Sequence, residues 1–469
     1  MEDGVTGQQR DVAKPEHASE ELQDAALANL WMPTQSWSDL AESGVPIMAE
    51  GDGVKIRDVH GRWGYDGSAG LMLINIGHGR TEVIDAIAAQ LGTLHYASTF
   101  RYATEPVVRF AEKVASLTPG DLNHVYFTSG GSEAVDTALK VAYQYHANRG
   151  EPRRIKFIAR QDAYHGISGG ALSVSTAPFV SRSTYEPLLP RNVRIAPQPL
   201  YYRREDDAES LTDFTVRCAT AIDDIIRAEG PETVAAVIAE PVCFSAGVAI
   251  PGDEYWPMLR EICDRHGVLL IADEVITGWG RTGKWFGVEH WGVVPDLMTM
   301  AKGITSGYFP VGACVATERV FEAFKGGREA AFHHGFTYGG HPAGGAAGLA
   351  NVAIIEREGL VENAARMGAR MLERLQALSS HPSVGDVRGL GLMCAVDLVA
   401  DKATKEPFSS IDGAAKRLAV KLADLGLFTR VRDQVYLSPP LTVTEADVDA
   451  MVGIVDEGLT VVERELGLS

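Results

Sequence analysis

The chain has 469 residues, of which 45% are hydrophobic, 22% charged and 8% aromatic, enough apolar surface to exclude a globally disordered protein. Its 43 Lys and Arg are outnumbered by 62 Asp and Glu, and the resulting formal charge of −19 repels phosphate backbones and argues against a nucleic-acid partner. Five cysteines (Cys218, Cys243, Cys263, Cys314 and Cys394), odd in number and without a CxxC pair, indicate neither a disulfide framework nor a zinc site and point to a reducing compartment.

Residues 1–24 read as a flexible, acidic lead without a secretory pattern. No apolar run approaches the roughly 18 residues of a membrane span, so no membrane partner is expected and the expected location is the cytoplasm. Residues 25–74 open the ordered fold with Leu27, Leu30, Trp31 and Trp37 as first apolar anchors, and the alternation across 53–66 predicts a hairpin in a small antiparallel lobe. From 75 to 341, helices alternate with short apolar runs at 125–128, 155–159, 234–239, 268–272, 297–300 and 312–316, the pattern of a mostly parallel, helix-covered sheet. Residues 342–469 bring an Ala-rich helical stretch, short strands at 392–398 and 434–437, and an amphipathic helix at 445–466. The expected fold class is α/β, a large domain with a mostly parallel sheet and a smaller α+β domain built from both chain ends.

Several common signatures fail on context. Gly278-Trp279-Gly280-Arg281-Thr282-Gly283-Lys284 satisfies GxGxxG and most of a P-loop, but Trp285 stands where a magnesium-binding Ser or Thr belongs, and residues 273–277 separate the glycines from their strand. Gly166-Ile167-Ser168-Gly169-Gly170 fits the hydrolase pattern GxSxG, yet residues 161–165 separate it from the preceding apolar run. His333, His334 and His341 lie in a Gly-rich loop without a carboxylate at helical spacing, and read as solvated loop residues. No metal site is expected.

Three dispersed features fit one ligand better. Thr128-Ser129-Gly130-Gly131-Ser132-Glu133-Ala134 follows a strand and opens a helix, whose unpaired N–H groups and dipole suit an anion, or else form an ordinary capped N-terminus. Asp273 follows a fully apolar strand, so its carboxylate lies at the carboxyl edge of the sheet, where ligands bind in open α/β folds. Lys302 follows Leu297-Met298-Thr299-Met300-Ala301, another buried-looking run, and a lysine desolvated there has the lowered pKa that imine chemistry requires. A phosphate, a ring nitrogen needing a carboxylate, and an aldehyde for a lysine are the parts of pyridoxal 5'-phosphate.

With these residues the chain resembles the class III (omega) aminotransferases of the fold-type I pyridoxal-phosphate enzymes. The resemblance runs from about Leu30 to the C-terminus and also takes in Tyr164-His165-Gly166, Glu240-Pro241, Asp273-Glu274-Val275, Ala301-Lys302-Gly303, Phe336-Thr337-Tyr338 and Arg388-Gly389-Leu390-Gly391. It implies that Lys302 forms the imine with the cofactor and Asp273 pairs with its ring nitrogen, these two being the catalytic residues. It implies Gly131 and Ser132 as phosphate donors, Tyr164, with His165 beside it, as the ring stacked on one cofactor face, Val275 as packing on the other, and Glu240 near the cofactor's hydroxyl. Thr337 is similar to the residue that reaches the neighbouring subunit's phosphate, which implies a homodimer or a dimer of dimers.

The implied reaction is ping-pong transfer of an amino group from a primary amine or ω-amino acid to a keto acid, with pyruvate the expected acceptor. Relatives using pyruvate carry a mobile arginine near the C-terminus. Arg430 matches its position, but the stretch to Pro439 is about one residue short, so Arg432 shares or takes the role. Met72, standing where many relatives have an aromatic residue, suggests a differently shaped pocket. Trp37 and Phe100 are candidate pocket walls or, for each, core packing. The alternatives are a 4-aminobutyrate-type transaminase using 2-oxoglutarate, an aminomutase or decarboxylase of the same fold, a nucleotide-binding protein using the 278–284 loop, and a non-catalytic interaction module.

Overall fold

A computed structural model describes residues 15–409 and 413–468. Among the described residues, fourteen strands form three sheets. In chain order they are β1 (Met48–Asp52), β2 (Lys55–Asp58), β3 (Trp63–Asp66), β4 (Leu122–Thr128), β5 (Lys156–Arg160), β6 (Val193–Ala196), β7 (Val234–Ala239), β8 (Leu269–Asp273), β9 (Leu297–Met300), β10 (Gly312–Thr317), β11 (Val384–Gly389), β12 (Cys394–Leu398), β13 (Leu427–Phe428) and β14 (Gln434–Leu437).

The seven-stranded sheet has the order β4-β10-β9-β8-β7-β5-β6. Pairing is parallel from β9 through β8, β7 and β5 to β6, while β10 runs antiparallel to both neighbours. The reversal has a covalent cause: the link from Met300 to Gly312 is too short for the crossover that a parallel partner needs. Strand β7 is buried along its whole length, and its side chains feed two cores. Val234, Val237 and Ala239 pack with Trp256, Leu259 and Phe286 on one side, and Ala235, Ala236 and Ile238 pack with Ala138, Ala142 and Tyr145 on the other. A strand covered by helices on both faces has no use for polar alternation, which is why the run is uninterrupted in the sequence.

The smaller sheets join the chain ends. β1-β2-β3 is the expected hairpin extended by one strand, and β13 adds to it in parallel through Leu427↔Tyr65 and Phe428↔Asp66. β11-β12-β14 is antiparallel, and with helices Leu360–Gln376 and Glu445–Glu465 it encloses a third core around Met371, Leu392, Val396, Leu437 and Val455.

Two expectations change, one at the N-terminus and one at the loop histidines. Pro15–Asn29 is a helix, so residues 15–24 belong to it and not to a flexible lead; residues 1–14 lie outside the described residues. The glycine loop after β8 is an internal brace. Buried Arg281 donates to the carbonyls of Leu392 (3.0 Å) and Pro439 (2.5 Å) and to Oδ1 of Asn75 (2.8 Å), and Asn75 donates to Trp279 O (2.8 Å). Beside it Glu274 accepts from the N–H groups of Gly287 and Val288, both at 2.8 Å, and from the Thr277 hydroxyl. With its backbone and cation turned inward, this loop presents no phosphate cradle. His334 bonds Thr137 (3.0 Å) and His341 caps the helix Pro342–Arg357 through Ala343 N (3.2 Å), so these two are braces and not merely solvated.

All five cysteines are buried and unpaired. No helix among the described residues is long and apolar enough to cross a membrane.

Gly391 shows how tightly the brace is built. Its φ is +57°, and a Cβ there would overlap the Thr282 backbone while Gly368 presses on it from the other side. Gly391→Ala is expected to cost about 1–3 kcal/mol and to lower the thermal midpoint by several degrees. Thermal unfolding beside Gly92→Ala, a helical glycine with open space around it, checks this: the control stays at or above wild type.

Candidate active site

Because β4, β5, β7, β8 and β9 run the same way, their carboxyl ends share one edge, and the segments leaving them supply the site. Asp273 closes β8 opposite Thr299 of β9, and Lys302 follows just after β9. Helix Gly131–Asn148 begins where β4 ends. Tyr164 and His165 follow β5, and Glu240 follows β7.

Asp273 is 3% exposed and held on both oxygens. His165 Nδ1 lies 2.7 Å from Oδ2, and Oδ1 accepts from the Thr299 hydroxyl and the Val275 N–H, each at 3.1 Å. A carboxylate has about four acceptor positions, so capacity remains for a further donor. Behind His165 stands Glu240, with Oε2 3.7 Å from Nε2 and 2.9 Å from the buried Arg160 guanidinium, and Oε1 accepting from Tyr164 N at 3.1 Å. Burial pushes the His165 imidazole down, but Glu240 and Asp273 outweigh it and leave the pKa above its ordinary value. Burial likewise pushes Glu240 up, and His165 and Arg160 outweigh it and leave it below the usual carboxylate value.

Lys302 occupies a left-handed backbone position, φ +51°, uncommon for a side chain of this size and of the kind that collects at functional sites. Its amine makes no hydrogen bond or ion pair among the described residues. Burial drives its pKa down to about 8 despite the opposing pull of Asp273, and the charge of Arg430 adds to the lowering. The same two groups act on Tyr164, so Lys302, Asp273, Tyr164 and Arg430 share one electrostatic neighbourhood.

A Cβ on Gly131 would sit 3.0 Å from Val275 and 3.6 Å from Ala301, which brings the helix N-terminus against the strand ends that carry Asp273 and Lys302. Ser132 Oγ is already engaged by Ile167 N at 3.1 Å, and keeps lone-pair and donor capacity. An amine, a carboxylate and a helix N-terminus therefore face one space, and these residues fit pyridoxal phosphate: Asp273 for the ring nitrogen, Lys302 for the aldehyde, Gly131 and Ser132 for the phosphate.

The substrate candidates divide. Arg430 lies with its guanidinium carbon 4.9 Å from the Phe179 ring centre and 5.8 Å from that of Tyr436, and Arg432 lies 4.5 Å from Phe179. Met72 is buried with Phe244 and Tyr436. Trp37 and Phe100 are 49% and 66% exposed, so core packing is corrected for both: aromatic character marks apolar surface without saying which chain covers it. Thr337 is also exposed, on a loop tied to the segment carrying Phe100 by Tyr96 Oη to Thr337 O (2.8 Å) and Thr99 Oγ1 to Gly339 O (2.9 Å).

Sequence reasoning missed Arg160, Thr299 and Phe179. Arg160 ends an apolar strand as Asp273 does, so the same signal marks it. Thr299 is the one polar residue in its strand, and Phe179 carries no local signal.

Residues 41–459 match the family model described as aminotransferase class-III. A probable aminotransferase of Mycobacterium tuberculosis is 42% identical over 460 residues, covering 96% of this chain and 97% of that one. The taurine–pyruvate aminotransferase of Bilophila wadsworthia is 38% identical, with 90% and 94% covered. Among solved structures, an (S)-enantioselective omega-transaminase from Thermomicrobium roseum superposes with a TM-score of 0.91 at 38% identity, over 95% of this chain and 99% of that one.

The lowered Lys302 pKa is directly measurable. Below pH 8 its amine is mostly protonated, and above it mostly neutral and reactive. The rate at which an aromatic aldehyde and borohydride label Lys302 is expected to rise to a plateau just above pH 8, while ordinary lysines keep gaining toward about pH 10. Peptide mapping of labelled protein across pH reads both.

Proposed function

The chain belongs to the class III aminotransferases, and on that premise we propose that it is an ω-transaminase that holds pyridoxal 5'-phosphate and moves an amino group from a primary amine or ω-amino acid to a keto acid, pyruvate, by a ping-pong mechanism. The observation that carries this is the approach of Lys302 and Asp273, distant in the chain, at the ends of two paired parallel strands with a helix N-terminus beside them. The large domain, 75–341, supplies these groups. The taurine–pyruvate relative supports the acceptor.

The cofactor, when bound, supplies an aldehyde carbon for the substrate amine and a ring that takes up electron density as a C–H bond breaks. The residues do the rest. Asp273, fixed by His165, Thr299 and the Val275 N–H, cannot turn away from the ring nitrogen it is to pair with, and holds a proton there. Lys302, with its pKa near 8, has an appreciable neutral fraction at physiological pH and would take the proton from the substrate's amine-bearing carbon as general base and, as general acid, deliver it to the carbon that the cofactor's aldehyde supplies. Tyr164 and Val275 would hold the ring between them, and Glu240 would stand near its hydroxyl. Arg430 receives the keto acid's carboxylate. Thr337 and Phe100, exposed here, face a second copy of the chain in a homodimer or dimer of dimers, where Thr337 reaches the neighbouring phosphate.

The test is a panel of amines mixed with the holoenzyme, read as loss of the cofactor's visible band and its return with pyruvate or 2-oxoglutarate. Lys302→Ala is expected to slow the first half-reaction about 10²–10⁴-fold, and Asp273→Asn about 10²-fold or more. Intact turnover in Lys302→Ala overturns the reading, and recovery with 2-oxoglutarate alone replaces pyruvate as the acceptor.

A further inference from the structure

Arg430 and Arg432 sit in one turn. Tyr436 N donates to Arg430 O at 3.0 Å, Arg432 N donates to Gln434 O at 2.9 Å, and Val431 bridges Val435. Residues two apart on an extended segment project to the same side, and both guanidinium groups do so, meeting the single ring of Phe179. That ring packs on Tyr164 at 5.3 Å between centres, so the platform under the two cations continues to the cofactor side of the site.

Among the described residues neither side chain pairs with a carboxylate. Arg432 feels the charge of the adjacent Asp433 without forming an ion pair with it, and in a chain with a 19-charge excess of acids two neighbouring cations outside any ion pair are an arrangement that an incoming anion can complete. Their depths differ. Arg430 is part-buried and its charge reaches Lys302 and Tyr164, whereas Arg432 is exposed and acts on neither.

Resting on the transaminase reading, we propose that the two arginines divide the work: Arg430 receives the keto acid's carboxylate, and Arg432 is a second anion-receiving residue that takes the far carboxylate or sulfonate of an ω-amino acid donor. Bond lengths support the division. A keto acid's carboxylate is attached to the reacting carbon and must be met by the inner cation. The acid group of an ω-amino acid lies farther along its chain and reaches outward to the rim. A donor ending in a second ammonium group meets two cations instead.

The test uses the holoenzyme, with donor half-reactions of β-alanine, taurine, propylamine and 1,3-diaminopropane, and the acceptor half-reaction of pyruvate on the pyridoxamine form. In Arg432→Gln the apparent Kd for β-alanine and taurine is expected to rise about tenfold or more, with propylamine and pyruvate shifting far less and Arg432→Lys recovering part of the loss. A response to β-alanine alone, or to taurine alone, names which acid the rim accepts. Unchanged Kd values for both acids overturn the assignment, as does a pyruvate loss equal to the donor loss, which is the mark of one shared arginine. Wild-type binding of 1,3-diaminopropane as tight as that of β-alanine overturns it too. Absence of any amine-dependent colour change sinks the transaminase reading itself and is distinguishable from these outcomes.

Discussion

Four side chains of alternating charge, Arg160, Glu240, His165 and Asp273, run in a buried row across the ends of three parallel strands. A lone ion in such a place carries a desolvation cost of several kcal/mol, and the row persists because each member is flanked by an opposite charge or a hydrogen-bond donor. The outcome is orientation more than stability. Asp273 cannot rotate without breaking contact with His165, and His165 cannot move without losing Asp273 on one side and its proximity to Glu240 on the other. The aim of one carboxylate is thereby tied to the sheet, and everything chemical in the site is measured from it.

Much of this could be read from residues alone, for a physical reason. Strand β7 appears in the sequence at its observed bounds because a strand buried on both faces leaves an unbroken apolar run, β9 does so with Thr299 as its one polar residue, and Asp273 and Lys302 are conspicuous because each follows such a buried run. β6 and β11 escaped notice for the converse reason. They are short and half-exposed, and Arg194, Asp386 and Arg388 interrupt them, so their pairing depends on neighbours and not on their own pattern. The direction of β10 was legible only through the length of the link before it. Tertiary convergence was the least legible: nothing local to Ala177 or Pro178 announces that Phe179 underlies two arginines far along the chain.

The two halves of the molecule are coupled through groups that look like ligand-binding motifs. Arg281 spends its donors on carbonyls from three distant segments, and Arg388 ties Gly247 of the large domain to Asp386 and Asp397 of the small sheet, where Arg203 also arrives. Asp397 in turn accepts from Gln434, whose amide oxygen receives the Tyr436 hydroxyl, and Tyr436 packs against Phe244 and Arg430. The position of the arginine turn thus depends on how the small sheet is docked.

The cysteines carry a practical consequence. Burial raises Cys218 to about 11 and Cys263, Cys314 and Cys394 to about 12, with Cys243 higher still, so almost no thiolate exists at neutral pH and none of the five lies open to reagents. Burial and a raised pKa both disfavour reaction of the native thiols with maleimides and mild oxidants. One thiol engineered onto its surface would be a unique handle for attaching a dye, a support or a second catalyst.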